Sequence, residues 1–181
     1  SDYKDQDDSM LKYNVKECER LGIPYGFYLY SYANTSAKNE SEIEHVLRRI
    51  EGTNPTYPVY YDLEDAKTGA CSNSTIQKYA LNYCKKIEAA GYKPGIYASL
   101  NWWNKKLATT SLDSYEKWVA QYYNPLTGCS YSGQIGMWQC ASDYRMSGIS
   151  TKVDLNFSYK TFVKTGPSMT SVGSSGWVKR D

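Results

Sequence analysis

Two patterns alternate along this chain, and their alternation limits the folds open to it. Six short runs are rich in β-branched and aromatic residues and predict strands; they cover 23–32, 56–64, 93–99, 117–123, 134–141 and 152–159. Ahead of each of the first three runs, apolar residues recur at helical spacing, over 10–21, 37–51 and 74–90. Each helical stretch is followed by a glycine, a common stop signal. Strands that alternate with crossover helices indicate an α/β fold with a parallel sheet.

The pattern changes after the third strand. Only a short segment, 101–107, and loops separate the last three strands, so we expect these to pair through hairpin-like connections. About eight strands are needed to close a barrel around a packed interior, whereas the chain offers six, and its polar opening leads directly into a helix. We therefore predict an irregular TIM-like (β/α) barrel with helix-poor last strands, incomplete at its N-terminus.

The length of 181 residues favours one domain. We predict a catalytic barrel over 1–164, followed by a linker over 165–176 that is rich in Gly, Ser, Thr and Pro. The last stretch, 177–181, begins with a tryptophan that is either a stray surface aromatic or the start of a cell-wall-binding repeat.

The composition excludes several classes of partner and cofactor. With 21 basic and 19 acidic residues, neither a nucleic-acid stripe nor a polybasic membrane patch is expected. No run of about 18 apolar residues occurs that could span a membrane. Because His45 is the only histidine and no CxxC pair occurs, neither a multi-histidine site nor a metal knuckle is expected. We predict no metal and no cofactor.

The cysteines and tyrosines suggest where the chain works. The five cysteines are expected to be buried thiols, or, in an oxidising compartment, Cys129 and Cys140 could form one bridge. The 19 tyrosines combine an apolar ring with a polar tip. Such a composition suits carbohydrate ligands, although tyrosine-rich surfaces have other uses.

The motif with the clearest chemistry is "YPVYYDLED" at 57–65. Asp62 and Glu64 would share one face of a strand with Tyr60, because side chains alternate with period two. They could be surface carboxylates on an exposed strand end. However, the run before them is apolar on both faces, as in a buried parallel strand. Two neighbouring acids with different pKa values can supply the proton donor and the negative charge that glycoside cleavage requires.

Further candidates lie near the ends of the later strands. Asp154 shares a strand face with Asn156, and in a barrel the first and last strands are neighbours. Two motifs, "WVAQYY" and "MWQCA", place Trp and Gln side chains at strand ends, where the rings could stack on sugars. Core packing would explain each of these Trp side chains equally well.

Several ordered motifs together resemble the lysozymes of glycoside hydrolase family 25. These are "GIPYGFYLYSYA", "YPVYYDLED", "KPGIYAS", "WVAQYY" and "GMWQCAS…GISTKVDLNFSY", which span roughly 3–163. The resemblance implies an extracellular or cell-wall muramidase, of the autolysin or endolysin type, that cleaves β-1,4 bonds after N-acetylmuramic acid in bacterial peptidoglycan. Two alternatives stay open: a non-catalytic fragment that binds cell walls, and another barrel glycosidase such as a chitinase.

The resemblance also assigns roles. Glu64 matches the general acid, and Asp62 matches the acid that assists the reacting centre, either directly or by orienting the 2-acetamido group of the substrate. Asp154 matches a late-strand carboxylate. The substrate-binding residues that we predict are Tyr30, Tyr32, Tyr60, Tyr97, Trp118, Gln121, Trp138 and Gln139.

One family motif has no counterpart here. Members of the family begin with a strand that carries a "DVS"-like motif, whose aspartate reaches the active site. Nothing in this sequence matches it, so the resemblance predicts a barrel without its first strand, helix and second strand.

Overall fold

The computed structural model describes residues 7–122 and 127–162. Its centre is one sheet whose six strands lie side by side in chain order. The strands are β1 (Phe27–Tyr30), β2 (Val59–Asp62), β3 (Pro94–Ser99), β4 (Glu116–Ala120), β5 (Met137–Arg145) and β6 (Lys152–Ser158). The six predicted strands are confirmed, although β1 is shorter than the run that predicted it.

The helices precede or follow the strands as the sequence predicts. They are α1 (Leu11–Leu21), α2 (Ser36–Ile50), the short α3 (Ala66–Gly69), α4 (Asn73–Ala89) and the short α5 (Leu100–Lys105), with one 3-10 turn at Thr110–Leu112. Side-chain hydroxyls of Thr35, Ser72 and Ser99 accept backbone N–H groups at the starts of α2, α4 and α5. These N-caps satisfy donors that a helix leaves unpaired, so they fix where each helix begins.

The strand directions confirm one part of the prediction and correct another. Strands β1 to β5 are all parallel, and only β5 and β6 are antiparallel. The hairpin-like pairing expected among the last three strands is therefore wrong for β4 and β5. Their connection crosses back over the sheet without a helix in its described part, residues 121–122 and 127–136, so it lacks the helical periodicity that marks a crossover.

The result is a mixed α/β fold in which the sheet curls into a half-barrel. β1 and β6 form its two edges among the described residues. The predicted linker at 165–176 and the predicted repeat start at 177–181 lie outside the described residues. No described helix is long and apolar enough to cross a membrane.

Strand β2 is buried on both faces of the sheet, which we call the helix face and the groove face. The helix face carries Val59, Tyr61 and Leu63, all fully buried in the main core with apolar residues of α2 and α4. The opposite, groove face carries Tyr60, which packs in a second cluster with Met137 and Phe162. Because both faces are covered, "YPVYY" is apolar at nearly every position, as the sequence pattern predicted.

All five cysteines are free. The bridge considered between Cys129 and Cys140 is absent. The Cys140 side chain is instead buried, and its sulfur lies 3.3 Å from the carbonyl oxygen of Leu155 on the neighbouring strand. Burial raises the pKa of both thiols.

Gly95 makes a testable contribution to this packing. A Cβ at this position would overlap the buried ring of Tyr60 on the groove face. We expect Gly95→Ala to lower the free energy of unfolding by about 1–3 kcal/mol, since overpacking of this kind forces side chains off their preferred positions. In a Tyr60→Ala background, the second substitution should cost much less, because the obstructing ring is gone and only the Cβ of Pro58, at 3.2 Å, stays close. Equal costs in both backgrounds, measured by urea unfolding, would show that the overlap is not the cause.

Candidate active site

The carboxyl ends of the parallel strands place three predicted site residues in one row. The register pairs Tyr30 of β1 with Asp62 of β2, and Asp62 with Tyr97 of β3. Paired residues in adjacent strands point to the same side of a sheet, so these three side chains lie next to one another on the groove face. This is the end of a parallel α/β sheet where ligands usually bind.

Asp62 is a buried acid. It is 7% exposed, and its Oδ1 has no hydrogen-bond partner among the described residues. Burial, followed by the nearby charge of Glu64, raises the pKa of Asp62 to about 8. A carboxyl group in such surroundings keeps its proton at neutral pH.

Glu64 lies two residues beyond Asp62 and is exposed. Leu63 between them is fully buried in the main core, which directs its two neighbours to the opposite side. Burial, followed by the charge of Asp154, raises the pKa of Glu64. Asp154 lies on β6 at the far edge of the sheet and is exposed. The curl of the sheet therefore brings a carboxylate of the last strand within electrostatic range of Glu64.

We call Asp62, Glu64 and Asp154 the acid edge. Asp65 does not belong to it, because its Oδ1 accepts the backbone N–H groups of Lys67 and Thr68 at the start of α3. Asp65 therefore caps α3.

The order of the two pKa values differs from the sequence-based expectation. The resemblance assigns the general acid, and with it the retained proton, to Glu64. In the structure, Asp62 is the more buried carboxyl and has the larger rise in pKa. Desolvation thus decides which of two neighbouring acids keeps a proton.

Tyr28 is a residue that sequence reasoning missed. It lies on β1 opposite Tyr60 in the register, on the groove face with Tyr30, and its side chain is 67% exposed. Burial and then the charges of Asp62, Asp154, Asp8 and Glu64 raise its pKa. Its hydroxyl therefore lies within electrostatic range of the whole acid edge. The period-two alternation of "FYLYSY" was the signal that could have found it.

The predicted tyrosines of β1 and its following turn lie together. The rings of Tyr30 and Tyr32 have centroids 4.9 Å apart. Burial, followed by the charge of Glu64, raises the pKa of Tyr30 to about 12. Both rings are partly exposed, so they border the acid edge on the β1 side.

Tyr97 and Trp118 form an aromatic floor on the other side of the acid edge. Their ring centroids are 4.8 Å apart, and Trp118 also lies 5.1 Å from the buried ring of Tyr60. The indole N–H of Trp118 donates to the Asn156 side chain at 2.9 Å. Gln139 fixes the rim of this floor, because its side-chain oxygen accepts the hydroxyls of Tyr97 at 2.6 Å and Tyr122 at 3.2 Å.

Two predicted binding residues are placed elsewhere. Trp138 pairs with Val119 in the register and is 2% exposed, so its ring faces away from the groove. Its indole N–H donates to the backbone oxygen of Gln121 at 2.7 Å. The Gln121 side chain in turn donates to Ser130 Oγ at 2.6 Å and accepts the Ser130 backbone N–H. Both side chains therefore stabilise the connection between β4 and β5.

The described residues contain no group of three or more His, Cys, Asp or Glu side chains arranged to hold a metal ion. His45 is half-buried on α2, with its Nε2 3.1 Å from Asp7 Oδ1.

Comparison with known proteins identifies the family of this chain. Residues 2–149 match the profile of glycosyl hydrolases family 25, and the chain therefore belongs to that family. The sequence resemblance is confirmed. A search of curated protein sequences finds no significant match.

Solved structures of similar fold include three informative ones. The modular autolysin LytC from Streptococcus pneumoniae, in complex with a synthetic peptidoglycan ligand, is 31% identical with a TM-score of 0.72; the match covers 85% of this chain and 38% of LytC. The catalytic domain of endolysin ply40 from a Listeria monocytogenes bacteriophage is 23% identical, with a TM-score of 0.67; the match covers 84% of this chain and 75% of the endolysin domain. A family 25 glycosyl hydrolase from Bacillus anthracis is 20% identical, with a TM-score of 0.65; the match covers 85% of this chain and 72% of the Bacillus protein. The last two show the fold alone.

The coupling within the acid edge can be measured by carboxyl-carbon NMR titration. We expect Asp62 to titrate near pH 8 and its pKa to fall in Glu64→Gln, which removes the neighbouring negative charge. Asp154→Asn should instead lower the pKa of Glu64, because Asp154 raises it in the wild type. A wild-type Asp62 that titrates near its ordinary value of about 4 would contradict this description.

The raised pKa of Asp62 also predicts a stability change. The unfolded chain releases this proton near pH 4, whereas the folded chain holds it up to about pH 8. Stability should therefore fall as pH rises across that window. Asp62→Asn, which cannot ionise, should raise Tm by a few degrees at pH 8 and by much less at pH 4. Asp143→Asn, an exposed control on β5, should show no such pH-dependent gain, and a gain of equal size in both variants would exclude burial of Asp62 as the cause.

Proposed function

We propose that this chain is a peptidoglycan hydrolase that cleaves the β-1,4 bond between N-acetylmuramic acid and N-acetylglucosamine. The observation that carries the proposal is the convergence of Asp62, Glu64 and Asp154 at the carboxyl edge of a family 25 sheet. The similarity to the autolysin solved with a peptidoglycan ligand supports the substrate class. Bacterial cell wall is accordingly the proposed partner and place of action.

Glu64 is the proposed general acid. Glu64 is exposed, so the glycosidic oxygen of a bound glycan can reach it, and Asp154 helps it to retain a proton. Its proton passes to the leaving oxygen as the bond from that oxygen to C1 breaks. A water molecule then supplies hydroxide to C1 and returns a proton to Glu64, which restores the starting state.

Asp62 has two roles open to it by family resemblance, and its surroundings favour one. A carboxyl group with a pKa of about 8 is neutral at pH 7, so it contributes little negative charge to the transition state. Its oxygens can still form hydrogen bonds with a substrate amide. We therefore assign Asp62 to orienting the 2-acetamido group of the sugar at the cleavage point.

The groove face supplies proposed sugar contacts. Tyr28, Tyr30, Tyr97 and Trp118 present aromatic groups beside the acid edge, and aromatic rings bury the apolar faces of sugars while their polar tips form hydrogen bonds. The binding role of Tyr32 stays a prediction. We expect Tyr60, Gln121, Trp138 and Gln139 to act by holding their neighbours, because other protein groups already contact or cover each of them.

The remaining predictions about organisation stay proposals. We assign the catalytic unit to 1–164 and a linker to 165–176. We also propose that the half-barrel sheet is part of an irregular TIM-like barrel. The chain spans 38% of the length of LytC. Family membership favours a muramidase over a chitinase, and the experiment below separates catalysis from wall binding alone.

The test is the loss of turbidity of purified bacterial cell walls. Glu64→Gln keeps the shape of the side chain but removes its acidic proton, so we expect the rate to fall by about 10²- to 10⁴-fold, the usual contribution of a general acid. Glu44→Gln is a matched control, since Glu44 is exposed on α2, and it should lyse walls at the wild-type rate.

Two outcomes would overturn the proposal. If Glu64→Gln lyses walls at the wild-type rate, Glu64 is not the general acid. Tight wall binding by the wild type, without release of new reducing ends, would show a binding fragment instead of an enzyme.

A further inference from the structure

A buried carboxylate lies behind the acid edge, on the helix face of the same strands. Glu42 of α2 is fully buried. Its Oε1 accepts the backbone N–H of Tyr32 at 2.8 Å, and its Oε2 accepts the hydroxyl of Tyr61 at 2.7 Å. The Ser31 hydroxyl lies 2.9 Å from the same Oε2. All three donors are neutral.

The donors belong to the segments that carry the site. Tyr61 directly precedes Asp62, and Ser31 and Tyr32 directly follow β1 with its Tyr30. The backbone N–H of Ser31 also donates to the carbonyl oxygen of Asp62 at 2.9 Å. Glu42 therefore joins the ends of β1 and β2 from behind, at the residues whose neighbours face the groove.

The rest of the network holds Tyr61 in place. The Asn39 side chain donates to the Tyr61 hydroxyl at 3.0 Å and to the Tyr79 backbone oxygen at 3.3 Å. The ring of Tyr61 is stacked on Tyr83, with centroids 4.3 Å apart. Packing thus fixes the ring, while Glu42 and Asn39 fix its hydroxyl.

Burial of the Glu42 carboxylate costs free energy, which its hydrogen bonds offset only in part. A carboxylate taken out of water loses its hydration, and three neutral donors replace that hydration only in part. In return, hydrogen bonds to a charged acceptor are stronger and more directional than neutral ones. A hydrophobic residue at this site would pack against the core but would remove the acceptor of the Tyr32 backbone N–H and of the Tyr61 hydroxyl.

We propose that Glu42 is a positioning residue of the active site, holding the turn after β1 and the end of β2 so that Tyr32 and Asp62 meet the glycan in a fixed geometry. The proposal rests on the proposed hydrolase function. It concerns the backbone and Tyr61, since Glu42 itself is covered and touches no substrate.

The experiment compares Glu42→Gln with wild type on soluble peptidoglycan fragments. Glutamine fills the same space and can still accept from Tyr32, but it has no charge and must donate toward the two hydroxyls. We expect KM to rise about tenfold. Partial unfolding lowers the apparent kcat and leaves the KM of the folded molecules unchanged, so KM separates positioning from simple destabilisation.

Two further variants complete the design. Tyr61→Phe removes one hydroxyl from the network but keeps the stacked ring, and it should raise KM at least threefold; it decides the question should Glu42→Gln fail to fold. Glu44→Gln, an exposed glutamate on the same helix, should leave KM unchanged.

The outcomes distinguish this inference from the function on which it rests. An unchanged KM in a folded Glu42→Gln, or in Tyr61→Phe if the former does not fold, overturns the positioning role while wild-type cleavage upholds the function. A wild type that does not cleave contradicts the function. In that case the dissociation constant (Kd) of the peptidoglycan fragments replaces KM in the comparison of the variants with wild type. An unchanged Kd overturns the positioning role.

Discussion

The parallel register of β1, β2 and β3 is the constraint on which the site depends. It sets Tyr30, Asp62 and Tyr97 side by side at the carboxyl ends of three adjacent strands. A shift of one residue in β2 would turn Asp62 toward the helices and bring Leu63 or Tyr61 to the groove. The fully buried Val59, Tyr61 and Leu63 oppose such a shift, because their side chains fill the core between the sheet and α2 and α4.

The same burial that fixes the register generates the chemistry. Asp62 ends a strand buried on both faces, so one of its oxygens has no hydrogen-bond partner among the described residues, and it keeps its proton to about pH 8. Glu64 reaches solvent two residues later. One strand thus delivers two acids with different surroundings, which is how proteins separate the roles of neighbouring carboxyl groups. Because the unfolded chain ionises Asp62 at a lower pH than the folded chain does, stability falls as the pH rises, a typical cost of an active site.

The sequence predicted the fold where its periodicity was strong and failed where the periodicity was absent. The α/β alternation and the shared face of Tyr60, Asp62 and Glu64 follow from period two and from known helix signals. The parallel pairing of β4 and β5 could not be predicted, because no helical pattern marks their crossover.

Individual side chains were harder to predict than elements. Trp138 and Gln139 are adjacent in a strand and cannot both face the groove; only the register with β4 shows that Gln139 does. Glu42 resembles any polar residue of an amphipathic helix, and its burial depends on Ser31, Tyr32 and Tyr61, which come from two different strands or their ends. Such contacts arise from tertiary packing, which sequence spacing does not record.

If the acid edge acts as proposed, it cleaves one particular bond of peptidoglycan. Identification of the new reducing ends released from purified cell walls, by borohydride reduction and mass spectrometry, tests it most directly. The wild type should leave reduced N-acetylmuramic acid at the new ends. Reduced N-acetylglucosamine at those ends, or no new ends at all, would contradict it.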